Sequence, residues 1–114
     1  MNIEPFAPFE TQVCNIGKHQ WSVARLVTLS RNLPVFDAPL NCLNIYTKYE
    51  ITLRELVAHI QAVNKADLRY PIILDEDGEI MDGRHRIMKA ILKGQDTIKA
   101  VRFDKNPDPC RINE

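Results

Sequence analysis

The sequence predicts an α+β fold, a small mixed sheet with helices, within a single domain of 114 residues. Three observations carry this. A capped amphipathic segment starts at Thr52, an apolar strand-type run Ile72-Ile73-Leu74 leads into the turn residues Asp77-Gly78, and an alternating segment Thr97 to Phe103 follows a helix that ends at Gly94. Helical and strand periods therefore alternate along a chain long enough to bury about two thirds of its unfolded surface.

The first twenty residues carry Pro5 and Pro8 without periodicity and are expected to form an N-terminal arm (1–20) that packs irregularly. Ser22 is a suitable N-cap for a helix in which Val23, Leu26, Val27 and Ser30 share a face, and Leu33-Pro34 stops it. Val35 to Leu40 reads as a short strand that Pro39 confines to an edge or a strand end. Asn41 to Glu50 is irregular, with Tyr46 and Tyr49 as cover for a core or pocket.

Thr52-Leu53-Arg54-Glu55 is a capping box, with Ile51 and Leu56 as its hydrophobic staple. Leu53, Leu56, Val57, Ile60 and Val63 follow helical spacing to about Lys65, so this stripe is expected to face the core. His59 lies beside the stripe and reads as a partly exposed helix histidine. Tyr70-Pro71 forces an extended start to Ile72–Leu74, a run buried on both sides. Asp77-Gly78 predicts a two-residue hairpin turn into Glu79-Ile80-Met81. Asp82-Gly83 then opens a helix from about Arg84 to Lys93, and a last strand runs from Thr97 to Phe103. The core spans 35–104, and the polar, Pro-broken tail 105–114 is expected to fray.

Fifteen Lys plus Arg balance fifteen Asp plus Glu, which counts against broad nucleic-acid binding, since counterion release needs a cationic surplus. The neutral sum hides a sign change. Asp75, Glu76, Asp77, Glu79 and Asp82 form a block without a base, whereas Gly83 to Lys105 holds seven bases against Asp96 and Asp104. No apolar run approaches the roughly 20 residues that span a bilayer, and the N-terminal residues lack the regions of a secretion signal. Cys14, Cys42 and Cys110 are odd in number and far apart, as expected of reduced thiols in a cytoplasmic protein.

Several arguments meet at Asp82-Gly83-Arg84-His85-Arg86. A helix start has amides without intrahelical partners and about half a positive charge, so it attracts anions. Gly83 leaves room for a ligand to approach the backbone, and Arg84 and Arg86 supply forked donors suited to phosphate. On the helical wheel Arg84 falls inside the apolar arc of Ile87, Met88, Ala90, Ile91 and Leu92, and Arg86, Lys89 and Lys93 lie opposite. At that core-facing angle Arg84 needs a counter-charge, either a carboxylate such as Asp82 or Glu79 or an incoming anion.

The run from Pro71 to Phe103 resembles the ParB/sulfiredoxin-type nucleotide-binding domain: a Pro-led strand, a hairpin, a Gly-x-x-Arg helix start, a Gly-ended helix and a closing strand. A weaker match reaches back to the Val35 to Leu40 strand. The resemblance implies binding of ATP, ADP or CTP phosphates, usually with magnesium, through Gly83, Arg84, His85 and Arg86. Arg84 stands where sulfiredoxins carry their cysteine, so sulfinic acid reduction is not implied. Partition ParB proteins continue into helix-turn-helix and dimerisation segments that 114 residues are too few to contain, so centromere binding is not implied. The local pattern is closest to ParB-like free-serine kinases, matching at Asp82, Gly83, His85 and Arg86. That branch implies an acidic base ahead of a helix, for which Glu50 is the nearest candidate; Glu55 is explained by its cap.

The expected function is nucleotide phosphate binding, with phosphoryl transfer or nucleotide hydrolysis if the site turns over. Asp82 would hold Mg2+ or accept a proton, and His85 would donate to phosphate or shuttle a proton. Two alternatives use other features: a nucleic-acid-binding or nuclease face made of Arg86, Lys89, Lys93, Lys99 and Arg102, and a non-catalytic interaction protein on the same fold. No membrane partner is expected, and the oligomeric state is left open.

Overall fold

The computed structural model of the chain describes residues 9–45 and 50–113. In chain order the regular elements are β1 (Val13–Ile16), β2 (His19–Ser22), α1 (Val23–Ser30), β3 (Phe36–Pro39), α2 (Leu53–Lys65), β4 (Ile72–Leu74), β5 (Ile80–Asp82), α3 (Arg84–Leu92), β6 (Thr97–Arg102) and β7 (Arg111–Ile112). Short 3-10 turns at Phe9–Thr11 and Leu40–Cys42 complete them. This is an α+β protein with a mixed four-stranded sheet in the order β3-β6-β4-β5 and a three-stranded sheet in the order β1-β2-β7. In the larger sheet β4 and β6 are parallel, while β3 and β5 join antiparallel at the edges. Pro39 ends edge strand β3, where its missing N–H costs no ladder bond.

The strand period of two sorts the core onto the two faces of this sheet. Ile72, Leu74, Ile80, Ile98 and Ala100 pack with Ile87 and Ala90 of α3. Ile73, Met81, Val101 and Phe103 point the other way, onto Trp21, Cys14 and the α1 residues Val23 and Leu26. The expectation that Ile72–Leu74 is covered on both sides is met, with all three residues buried. Leu26, Ile72 and Ile87 are the largest side chains fully withdrawn from solvent, each contributing about 1.5–3 kcal/mol of apolar burial.

Both caps anticipated for the first two helices are present. Ser22 Oγ accepts from Arg25 N, and Thr52 Oγ1 accepts from Glu55 N at 3.1 Å. The stripe of α2 behaves differently from expectation, because among its residues only Val63 is buried. The reason is positional: α3 already covers that face of the sheet, so α2 packs along α3.

Three further expectations are corrected. The supposed arm contains a hairpin, β1 and β2, joined by Gly17-Lys18 with positive φ at Gly17 alone, as a II′ turn requires. The turn after β4 has three residues, Glu76-Asp77-Gly78. Gly78 N donates to Asp75 O, Asp75 N donates to Glu79 O, and Gly78 alone takes positive φ, which fits a type I turn with a glycine bulge. A two-residue I′ turn needs positive φ at Asp77 as well. Buried Asp75 fixes the loop, its Oδ1 accepting from the amides of Asp77 and Glu79.

The tail is anchored rather than frayed. Strand β7 pairs with β2, Trp21 Nε1 donates to Pro107 O at 2.9 Å, and Arg25 donates to Asp108 O. Tyr46 and Tyr49, expected as cover, lie outside the described residues. Among the described residues no helix is long and apolar enough to cross a membrane.

Gly83 is tied to this packing more than to any ligand. Its φ is 112°, and a Cβ placed there would overlap the Ile72 side chain, lying only 2.9 Å from Ile72 Cβ. Gly83→Ala is expected to lower unfolding free energy by about 2–4 kcal/mol, from left-handed strain and overpacking together. Urea denaturation measures it; a loss below that range would mean that the β5–α3 turn relaxes freely.

Candidate functional site

The start of α3 lies in an open cleft of about 770 Å³. One wall is the turn Asp82 to Arg86, a second is the segment Thr11 to Asn15 leading into and along β1, and a third is the C-terminal end of α2 with Lys65 and Ala66. Exposed Phe9 and Tyr70 stand at its margins. Helix ends of opposite polarity thus meet here. Lys89 Nζ donates to Asn64 O at 3.1 Å and Ala66 O at 2.6 Å, placing a cation on the negative end of α2.

Arg86 faces inward. Its NH2 meets Asp82 Oδ2 at 2.6 Å, and its NH1 donates to Tyr70 O at 3.1 Å and Pro71 O at 2.9 Å. Both side chains of the pair are mostly withdrawn from water, at 16% and 19% exposure. Arg86 therefore ties the first turn of α3 to the entrance of β4, with three of its five N–H donors bonded to the chain.

Arg84 reverses the wheel expectation. It is exposed, and among the described residues it makes no hydrogen bond or ion pair. The apolar arc of α3 is wider than the face that the sheet covers: Ile87 and Ala90 are buried, while Met88, Ile91 and Leu92 are exposed. Arg84 shares that uncovered side, and lying in the first turn it also borders the cleft.

His85 meets His59 of α2, with Nε2 and Nδ1 2.9 Å apart and ring planes tilted by 48°. One ring must donate and the other accept, so the contact requires a neutral acceptor nitrogen. Burial pushes the His85 pKa below the ordinary imidazole value, His59 adds to this, and Asp82 opposes it. Cys14, which sequence reasoning left in the arm, also lines the cleft. Burial pushes its thiol up to about 11 although Arg84 opposes this, so it is protonated at neutral pH and a poor nucleophile.

Glu50, the acidic candidate for a base, is exposed and is not among the residues lining the cleft. The basic face is dispersed as well. Arg86 and Lys89 bond the chain as described, Arg102 donates to Glu76 O, and only Lys93 and Lys99 stand as exposed cations without such bonds. No three His, Cys, Asp or Glu groups converge among the described residues, and Asp82, the carboxylate expected to hold Mg2+ beside a nucleotide, has its Oδ2 bonded to Arg86.

Sequence reasoning missed Lys65, Tyr70, Phe9 and Cys14 as cleft residues. The only signal for the β1 wall was a Gly-X pair between two four-residue segments, a hairpin cue that the nearby prolines obscured. No protein-family model, no curated protein and no solved structure matches the chain.

Two outcomes follow. Arg86→Ala should cost roughly 2–3 kcal/mol in urea denaturation, by removing charge-assisted bonds and leaving Asp82 unpaired, whereas Arg84→Ala should stay within about 0.5 kcal/mol. Because the folded state holds His85 below its ordinary value of 6.5, the unfolded chain binds more protons there. That contribution to stability is present above pH 6.5 and is lost as pH falls below it. His85→Gln should flatten stability against pH in this window; an unchanged slope would refute the assignment.

Proposed function

We propose that the protein binds a phosphate-bearing ligand of nucleotide type in the cleft at the start of α3, as a domain of ParB/sulfiredoxin-like kind. The observation that carries this reading is Arg84: an exposed guanidinium, uncommitted among the described residues, at the positive end of a helix whose N-cap is a glycine with no side chain to cap it. Lys65 lies across the same cleft, and Tyr70 and Phe9 offer aromatic faces at its edge for a base to stack on.

The roles differ from those expected of the motif. Arg84 and the helix start hold the phosphate, while Arg86 holds the helix start in place. The reading extends to binding and not to turnover, because Asp82 is paired with Arg86, His85 is bonded to His59, and Glu50 stands away from the cleft lining. The nucleic-acid reading gains no support, since Arg86, Lys89 and Arg102 are spent on contacts within the chain.

Titration calorimetry with ATP, ADP, CTP and inorganic phosphate tests this. Arg84→Ala should weaken the best ligand about ten- to a hundredfold, the value of one charge-assisted contact of roughly 1.5–3 kcal/mol. Equal affinity of parent and variant, or no heat with any of the four, would overturn it.

A further inference from the structure

We propose that two copies of this chain associate through the outer face formed by α2 and α3. The two helices run side by side in the same direction, since His59 meets His85 and, further along both, Lys89 reaches the carbonyls of Asn64 and Ala66. On α2, Leu53 is 81% exposed and Leu56, Val57 and Ile60 are 40–49% exposed. On α3, Met88, Ile91 and Leu92 are exposed as well, Leu92 at 77%. A groove of about 370 Å³ separates the helices, with Leu56 on one side and Met88 and Ile91 on the other, so the two sets are continuous.

These seven side chains present roughly 700 Å² of apolar surface, close to the ~800 Å² that each partner brings to a standard interface and beyond the 300–600 Å² of the largest patch on a typical monomer. Area points to a second copy as the occupant, and charge does not oppose it. The formal net charge is zero, so no like-charge field opposes self-association. At the N-terminal end of the two helices Glu50 and Glu55 balance Arg54 and Arg84, while exposed Lys65 and Lys93 stand at their C-terminal ends. A two-fold axis perpendicular to the helices keeps the lysine-bearing ends of the two copies apart, and such a self-complementary contact closes as a dimer. Arg84 borders both the groove and the cleft.

Sedimentation equilibrium on the whole chain, from low micromolar to several hundred micromolar, tests the proposal. The parent should reach twice its 13.1 kDa mass at the upper end. Leu53→Glu and Leu92→Lys, made singly, should each weaken the dimer by at least about tenfold, because the two-fold buries each new charge twice. Leu29→Glu on α1, an equally apolar but remote position at 45% exposure, should leave it unchanged. Thermal melts by circular dichroism confirm that the variants fold. A parent that stays monomeric throughout overturns the proposal, whatever else that face binds, as does a dimer that both α2 and α3 substitutions leave intact.

Discussion

Arg86 is the constraint on which this molecule's candidate site depends. From the first turn of α3 its guanidinium bonds Asp82 at the end of β5 and the carbonyls of Tyr70 and Pro71 at the entrance to β4. Gly83 sits inside this clamp with its backbone pressed on Ile72. The helix start is thereby fixed relative to the sheet by a charge-assisted joint on one side and apolar contact on the other. Arg84, one turn position away from the clamp, is held at the cleft without being consumed by it.

The charge balance follows the same logic. The acidic hairpin and the basic segment behind it fold back onto each other, with Asp82 facing Arg86 and the Glu76 carbonyl receiving Arg102. Much of the basic block is structural cement, which explains why the protein presents isolated cations at a cleft instead of a broad positive face. Lys89 belongs to the same set, neutralising the end of α2 beside the cleft.

Layering decides what remains outside. The four-stranded sheet has two faces, one taken by α3 and the other by α1 with Trp21 and Cys14. Nothing is left for α2 to cover, so a helix with a core-like stripe is docked on the flank of α3 and keeps most of that stripe in contact with solvent. A stripe of this kind is a surface seeking a partner, and the neutral chain offers no electrostatic objection to another copy of itself.

The capped helix from Thr52, the doubly buried run Ile72–Leu74, the edge position of Pro39 and the Asp82-to-Arg86 helix start were all legible in the sequence, because each rests on local spacing, capping or backbone sterics. The β1–β2 hairpin went unread in a segment expected to pack irregularly, Gly17 being its one local cue. What the sequence did not contain was the division of labour between Arg84 and Arg86. Wheel angle alone sends Arg84 inward and Arg86 outward, and the reverse holds because Tyr70, Pro71 and Asp82, brought together only by the sheet, offer acceptors to Arg86. The anchoring of the tail on Trp21, the meeting of His59 with His85 and the exposure of α2 have the same origin. Periodicity states which face of an element is apolar, and only the tertiary arrangement settles whether another element is left to cover it.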